Sequence, residues 1–433
     1  MQVQGIESVI ADCGELIRRF ADANKRLYLV GGIVRDVLSG LSCDLADIDF
    51  TSDATPDEIV DIIEPIAESL WRQGERFGTI GARISGRDVE ITTHRGEKYS
   101  PDSRKPTVTF STDLVEDLSR RDFTINAMAI DVMNSQAALV DPFNGLADLR
   151  ANLLATPIDP NISIQDDPLR MMRAARFVAR SGCKLSGELD AALRSNVDRI
   201  SIVSVERIRV ELDKLLLARY PLEGLQVLAS VGLLERVVPE LCAVEQESPQ
   251  TFQLIATAVS EVESESVTRW AALMCVMDAA SVKSRMRRLK HANDMVRDVG
   301  GVVELWHRYF VQSLAWSDAK VREVVHQAGD RLGPVRNLAG VATSLGLGAG
   351  DVELFDQKFQ VLNQSEDLSH IGPELDGTQI IEFLAIPPGR IVGEALAELM
   401  RLRIDTGPVG SAAAAAHVLK WWTEHPDNGR LAH

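Results

Sequence analysis

The residues best suited to chemistry are the two aspartates of Asp47-Ile-Asp49. On a strand, residues i and i+2 point the same way, so both carboxylates would share one face. Two like charges side by side repel unless a cation lies between them, and Mg²⁺ suits oxygen ligands in the company of phosphates. Upstream, Gly31-Gly32 would let backbone N–H groups approach a phosphate closely. Arg35 would lie one turn into the following helix and reach the same phosphates. Together these are the parts of nucleotidyl transfer: a metal site, a triphosphate cradle and a positive clamp. The competing reading leaves Asp47 and Asp49 on the solvent face of an edge strand. Glu90, in the alternating run Asp88-Val-Glu-Ile-Thr92, adds a third carboxylate. It would complete a two-metal site and help to deprotonate a 3′-hydroxyl. Asp88 points to the same face, so the sequence leaves that choice open, and Glu90 is carried forward as the catalytic candidate.

Three further clusters follow. Arg120 and Arg121 precede an apolar stretch and suit a triphosphate, and Asn126 interrupts that stretch, as a local cap or for another purpose. Asp167, Arg170, Arg173 and Arg176 recur every third residue. On a helix that step drifts by about 60° per repeat, so the four would form a slowly winding stripe that could span a nucleotide from base edge to phosphate. An aspartate accepts from an exocyclic amine, and an arginine donates to ring acceptors. The alternative is a solvated helix face with local ion pairs. Lys283, Arg285, Arg287, Arg288 and Lys290 are five basic residues with no acid between 283 and 290. They could bind RNA backbone, or form the exposed face of a helix anchored by Val282, Met286 and Leu289.

The elements that must position these residues read as follows. An amphipathic helix over 6–24 leads to a strand, Leu27–Val30, then the glycine turn and a helical piece, Ile33–Leu38. A strand over 44–50 and a helix over 57–70 come next. Strands over 77–85 and 87–94 meet at Ser85-Gly86. Residues 95–116 read as a mobile loop, and 123–132 with 138–140 as a second hairpin-like pair. Beyond about 146 strand alternation nearly vanishes. Helices are expected over 146–152, 167–181, 186–194, 204–218, 221–230, 249–260, 267–278, 282–299, 302–316 and 318–328. A glycine-rich break is expected over 334–350 and a connector over 371–388, followed by helices 391–402 and 412–422. The fold class is α+β: a head with a small mixed sheet, followed by a long all-helical remainder.

Composition bounds the partners. The chain has 433 residues and a formal charge of −17, which on its own ranks nucleic acid low. The local balance reverses that ranking: residues 170–215 hold ten basic residues against six acidic ones. Five scattered cysteines make no metal-ligand pair and argue for a reducing, cytoplasmic setting. No signal sequence or membrane span is expected, and the sequence leaves monomer and homodimer equally open.

The chain resembles the bacterial and eukaryotic class of CCA-adding tRNA nucleotidyltransferases and their poly(A) polymerase relatives. The resemblance is carried by Leu29-Val-Gly-Gly-Ile-Val-Arg-Asp36, Asp47-Ile-Asp49, Arg120-Arg-Asp-Phe-Thr-Ile-Asn-Ala-Met128, Asp141-Pro-Phe-Asn-Gly145, Asp166-Asp-Pro-Leu-Arg-Met-Met-Arg-Ala-Ala-Arg-Phe177 and Glu206-Arg-Ile-Arg-Val-Glu-Leu212. It covers residues 26–240 well and the rest loosely. It implies a polymerase beta-like catalytic head over 1–145, a base-reading neck over 146–240, a body over 241–335 and a tail over 336–433 that holds tRNA. It implies that Asp47 and Asp49 hold Mg²⁺ and that Gly32, Arg35 and Arg121 meet the incoming nucleotide. Asp167 and Arg170 would read the edge of CTP or ATP, with Arg173 and Arg176 completing the pocket. The loop over 95–116 would take part in the switch from C to A addition. The expected reaction is attack of the tRNA 3′-hydroxyl on the nucleotide α-phosphate, repeated to build C, C and A, with pyrophosphate released.

Asp166 stands where the family usually has Glu. None of the eight histidines is followed by Asp, so no His-Asp phosphohydrolase activity is expected. Gly74-Glu-Arg-Phe-Gly-Thr-Ile80 looks more like the CCA enzymes than the poly(A) polymerases. Partial addition, of CC or of A alone, stays open as the alternative, with poly(A) synthesis behind it.

Overall fold

The computed structural model describes residues 6–40, 47–100, 103–134, 137–312, 315–368 and 371–426. It divides into two compact units, residues 1–243 and 244–433.

The first unit is built on a seven-stranded mixed sheet. Its strands are β1 Leu27–Val30, β2 Asp47–Ser52, β3 Ser69–Trp71, β4 Thr79–Ile84, β5 Arg87–Thr93, β8 Ala129–Asp131 and β9 Ala138–Val140, in the order β3-β4-β5-β2-β1-β8-β9. Strand parity decides which side chains meet the core. Leu27 and Leu29 of β1, Ile48 and Phe50 of β2, and Val89 and Ile91 of β5 turn to one face. There they pack with Leu16 and Phe20 of α2 (Gly14–Asp22) and Ile59 and Ile63 of α4 (Pro56–Ile63). The alternate residues of β1 turn the other way, and Val30 joins a small second core with Leu118, Ala127 and Ala129. Asp49 of β2 therefore stands on the face that α2 and α4 do not cover.

Several expectations are corrected. The long N-terminal helix breaks at Cys13 into α1 (Glu7–Asp12) and α2. The helix expected over 57–70 ends at Ile63, and β3 follows it. Residues 44–46 of the expected second strand lie outside the described residues. The loop expected over 95–116 instead holds an antiparallel ladder of β6 (Arg95–Ser100) and β7 (Ser103–Phe110), with residues 101–102 outside the described residues. It is followed by α5 (Leu114–Ser119), and Asp113 accepts the N–H of Val115 as its cap. Thr124–Asn126 is a 3₁₀ turn before β8 rather than part of the strand.

The turn Asp141–Gly145 leads out of the sheet. The Asp141 carboxylate accepts the N–H groups of Gly145 at 2.7 Å and Leu146 at 3.0 Å, opening α6 (Gly145–Ala151). A Cβ on Gly145 would stand 2.2 Å from the Thr124 carbonyl, so no larger residue fits. Helices α7 (Pro160–Asp166), α8 (Leu169–Ser181), α9 (Gly187–Ser195), α10 (Val205–Leu216) and α11 (Pro221–Ser230) follow. Helix α8 buries Leu169, Met172, Ala175 and Phe177.

The second unit is helical throughout its described residues. The helices expected over 282–299 and 302–316 are divided differently: the chain turns at Lys290 (φ +62°), and one helix then runs unbroken from Asn293 to Tyr309. Residues 313–314, at the end of that expectation, lie outside the described residues. The break expected at 334–350 is instead a helix, Leu332–Ser344, through its first half. Val335, Leu338, Ala339 and Ala342 are buried at helical spacing, while Gly340 faces solvent. Burial of that stripe outweighs the weak helix propensity of glycine, roughly 1 kcal/mol per residue. Helices Gly377–Leu384, Arg390–Thr406 and Ser411–Glu424 share a core of their own around Ile380, Leu399, Val418 and Trp422.

One buried ionic cluster ties this unit together. Glu366 accepts from Arg322 Nε at 2.8 Å and from Arg403, and all three side chains are buried. Burial alone would raise the Glu366 carboxyl, but Arg322 and Arg403 outweigh it and hold it below the usual range. Removing one partner of such a cluster leaves an uncompensated buried charge, which typically costs about 3–5 kcal/mol. Glu366→Gln is therefore expected to lower the unfolding free energy measured by urea titration by an amount of that order. Because the folded carboxyl is depressed, its stabilisation is complete above the unfolded value of about 4.3 and is lost as pH falls through the folded value. The difference between wild type and E366Q should accordingly shrink below about pH 4, and a constant difference down to pH 2 would contradict this account.

Candidate active site

The site begins at the turn between β1 and α3 (Gly32–Leu38). Gly31 has φ +80° and ψ −144°, a region that side-chain-bearing residues rarely adopt. The backbone conformation favours glycine, and a Cβ there would stand 3.1 Å from Asp49 Oδ2 and crowd the carboxylate. Asp47 lies two residues before Asp49 on β2, and its side chain is outside the described residues. The parallel ladder sets Asp47 beside Asp88 and Asp49 beside Glu90. Asp88 is paired with Arg83 at 3.0 Å. Glu90 is exposed and does not line the cleft described next.

An open cleft of about 710 Å³ runs from this turn across α8. Gly31, Gly32, Arg35, Arg120, Arg121, Asp167, Arg170, Arg173 and Arg176, all nine nucleotide-binding candidates, line it together with Asp49. Arg95, Arg180 and Arg207 bring the arginines to nine against three aspartates, an excess of six positive charges. Such a cleft selects an anion.

Buried carboxylates organise these arginines. Asp117 of α5 is fully buried, and its Oδ1 accepts from Arg120 Nη2 at 2.8 Å while its Oδ2 accepts from Arg121 Nη2 at 3.2 Å. Burial would raise the Asp117 carboxyl, but Arg121 and Arg120 outweigh it and bring it to about 2. Asp122 is buried and accepts from Arg173 Nε at 2.9 Å. It also accepts from Asn126 Nδ2 at 3.0 Å, and Asn126 Oδ1 in turn accepts from Arg35 Nη1 at 2.6 Å. Asn126 thus relays Asp122 to Arg35, which explains the polar residue in an apolar stretch. Burial lowers the Arg35 pKa, and Asp36 opposes that shift. Glu211 of α10, also buried, meets Arg176 at 2.6 Å and Arg173 at 3.7 Å.

The expected stripe on one helix is corrected in part. Asp167 lies in the elbow between α7 and α8, with extended backbone (φ −134°, ψ 95°), and its Oδ1 accepts the Leu169 N–H at 3.2 Å. Pro168 restricts its predecessor to such conformations. Arg207 Nη2 stands 3.7 Å from Asp167 Oδ2. Arg170 is buried and donates to Ser163 Oγ at 2.6 Å and to the Arg120 carbonyl, which joins α7, α8 and the arginine turn.

Asp117, Asp122 and Arg207 were not among the expected site residues. Asp117 stands three and four residues before Arg120 and Arg121, the spacing of helical ion pairs, and that signal was legible. Phe177 gave no chemical signal, yet it faces the guanidinium groups of Arg176 at 4.7 Å and Arg35 at 5.4 Å.

The basic cluster at 283–290 is reduced. Lys283 lies along Gly300 and pairs with Glu304 at 3.5 Å, and Arg285 is buried. Arg287, Arg288 and Lys290 remain exposed. Helical spacing divides the four on Ala279–Arg288 between its buried and exposed faces, and Lys290 lies in the turn beyond it. Among the described residues no cluster of three or more His, Cys, Asp or Glu is arranged to hold a metal, and no helix is long and apolar enough to cross a membrane.

Comparison with known proteins decides the family. The poly A polymerase head domain family matches residues 27–155, and the family described as a probable RNA and SrmB-binding site of polymerase A matches residues 182–244. The CCA-adding enzyme of Limosilactobacillus fermentum is 30% identical over 409 residues, spanning 94% of this chain and 95% of that one. The chain belongs to the CCA-adding enzyme and poly(A) polymerase family. It is a nucleotidyltransferase. The crystal structure of the Bacillus stearothermophilus CCA-adding enzyme in complex with CTP is similar with a TM-score of 0.75 and 25% identity, covering 95% of this chain and 97% of that one. The Thermotoga maritima CCA-adding enzyme complexed with tRNA_CCA shares the fold, with a TM-score of 0.65 at 20% identity, covering 97% of this chain and 100% of that one.

Gly31→Ala tests the approach of the turn to Asp49 in this candidate site. The added methyl strains the left-handed turn and crowds Asp49, and a misplacement of about 1 Å from the turn's readjustment can cost on the order of 10²-fold in rate. Nucleotide incorporation should fall by about that factor while the melting temperature moves by only a few degrees. Activity within twofold of wild type would show that the turn is not part of the site.

Proposed function

We propose that this enzyme adds C, C and A to the 3′ end of tRNA, taking CTP and ATP as substrates. The observation that carries the reading is the cleft itself: nine arginines open beside the Asp49 carboxylate at a glycine turn. Similarity to CCA-adding enzymes over nearly the whole chain supports it.

The triphosphate is matched to Arg35, Arg120 and Arg121, with Gly31-Gly32 giving its oxygens close access to backbone N–H groups. Asp47 and Asp49 would hold Mg²⁺. The donor set fits the ion: carboxylate oxygens only, few in number, beside a phosphate site, because Mg²⁺ commonly takes one or two carboxylates and completes its shell with phosphates and water. Bound there, it would supply charge neutralisation at the α-phosphate and a lower pKa for the attacking hydroxyl. The 3′-hydroxyl oxygen forms its bond to the α-phosphorus as the bond to the bridging oxygen breaks and pyrophosphate leaves. Glu90 is preferred to Asp88 as the third carboxylate, because it is the ladder neighbour of Asp49 and Asp88 is held by Arg83.

Base choice follows from Asp167 and Arg170. Cytosine and adenine both carry an exocyclic amine that a carboxylate accepts from, and uracil and guanine present an acceptor there instead. A mismatched buried polar group costs about 1–3 kcal/mol. The two contacts of Arg170 with Ser163 and the Arg120 carbonyl orient its guanidinium for this task. We place catalysis in a head over 1–145, base reading in a neck over 146–240, and tRNA contact in a body over 241–335 and a tail over 336–433. The odd, scattered set of five cysteines is the ground for expecting a cytoplasmic setting.

Incorporation into tRNA transcripts ending before CCA, after C and after CC tests the reading. CTP should be used on the first two and ATP on the third. ATP left unused on the third would establish CC addition only, and long homopolymeric tails would establish poly(A) synthesis. Asp49→Ala should lose at least about 10³-fold in rate, and full activity would remove the metal assignment.

The exposed residues Arg287, Arg288 and Lys290 are the part of the basic cluster left for RNA. Replacing all three by alanine should weaken tRNA binding and lower the dependence of log K on log salt by roughly two to three. An unchanged slope would leave them as solvated surface.

A further inference from the structure

We propose that Asp117 is the positioning residue for triphosphate affinity: its buried carboxylate fastens Arg120 and Arg121 to the strand that carries Asp49. The inference rests on the reading above that the cleft takes a nucleoside triphosphate.

Five contacts from four residues converge on this one side chain. Oδ1 accepts from Arg120 Nε at 3.1 Å and Nη2 at 2.8 Å, and faces the backbone N–H of Arg95 at 3.4 Å. Oδ2 accepts from Arg121 Nη2 at 3.2 Å and faces Thr51 Oγ1 at 3.4 Å. Thr51 lies two residues beyond Asp49 on β2, on the same face of the strand. Its hydroxyl is pinned by the Thr92 carbonyl at 3.0 Å and by His94 Nδ1 at 2.8 Å. Asp117 therefore meets three arginines of the cleft and the carboxylate strand at once.

A purely structural ion pair would not need this arrangement. The Arg120 and Arg121 side chains are 17% and 18% exposed and line the cleft, whereas Asp117 is completely buried and does not. A guanidinium is a rigid planar fork of five N–H donors. Holding one edge on Asp117 sets the direction of the remaining edge. Arg120 and Arg121 are also adjacent like charges, and the carboxylate between them lets both stay aimed at one place before any anion arrives. Burying a carboxylate is costly unless it is paired, so the residue is tied to the arginines as much as they are to it.

Asp117→Asn keeps the shape and removes the charge. Three quantities separate positioning from simple loss of fold: inhibition by inorganic pyrophosphate, which needs the arginines; inhibition by CMP, which lacks the β- and γ-phosphates; and kcat at saturating CTP. The variant should show KM for CTP and ATP raised about tenfold or more, and pyrophosphate inhibition weakened by a similar factor. CMP inhibition and kcat should stay within about threefold of wild type. Asp117→Ser, which leaves room for a water, should give the same pattern. Pyrophosphate inhibition unchanged in both variants overturns the inference, as does a parallel loss of all three quantities. If neither variant folds, Asp117 is a folding residue and the inference falls. Wild-type enzyme that neither incorporates CTP nor responds to pyrophosphate would instead overturn the proposed function, so the two failures are distinct.

Discussion

Mutual repulsion among nine arginines in one cleft is the constraint around which the first unit is organised. Two unit charges about 4 Å apart at an effective dielectric constant near 20 repel by roughly 4 kcal/mol, so an open site of this kind would spread apart or lose its aim. The chain answers with buried carboxylates paired to the guanidinium groups, Asp117 and Glu211 behind them and Asp122 at the cleft wall. Asp117, Asp122 and Glu211 are all buried, and each touches at least one cleft arginine. Each neutralises its partners from the protein side and leaves their outward edges to the cleft. The depressed carboxyls of Asp117 and Asp122 are the thermodynamic mark of that arrangement.

The same requirement explains why the site draws on so many segments. The sheet alone could present Asp49, because strand parity turns Ile48 and Phe50 to the helical core and leaves the aspartate on the opposite face. It could not supply the cations. Arg35 comes from α3, Arg120 and Arg121 from the end of α5, Arg170, Arg173 and Arg176 from α8, and Arg207 from α10. Asn126 and Arg170 make two of the joints between them. One relays Asp122 to Arg35, and the other clasps the Arg120 carbonyl to α7. A change at either residue would disturb several phosphate-facing groups without touching a phosphate.

Much of this was legible in the residues. The glycine pair, the β2 aspartates and the arginines could be read because each needs a particular side chain, or the lack of one, at a particular step along the backbone. Long-range burial was not legible. Helix Leu332–Ser344 contains two glycines and a proline, and burial of its apolar stripe holds it helical. The β6–β7 ladder was hidden by a polar sequence, because a hairpin needs cross-strand hydrogen bonds more than hydrophobic alternation. Spacing by threes put Asp167 on a helix with its arginines, but Pro168 forces an elbow and places it outside. Five closely spaced basic residues looked like one patch until the buried face of the helix that carries four of them took Arg285.

Net charge was the least informative number. A formal charge of −17 describes the far field, but ions at physiological strength screen exposed charges beyond about 8 Å. Inside the cleft the nearest charges are arginines, in a space partly closed to water, and they act together at shorter range than that. Acidic residues elsewhere weaken non-specific attraction to polyanions while scarcely altering the potential that a phosphate meets in the cleft. The two properties are compatible because they operate on different length scales. An acidic exterior with a cationic interior therefore favours an anion that enters the site over one that merely lies on the surface.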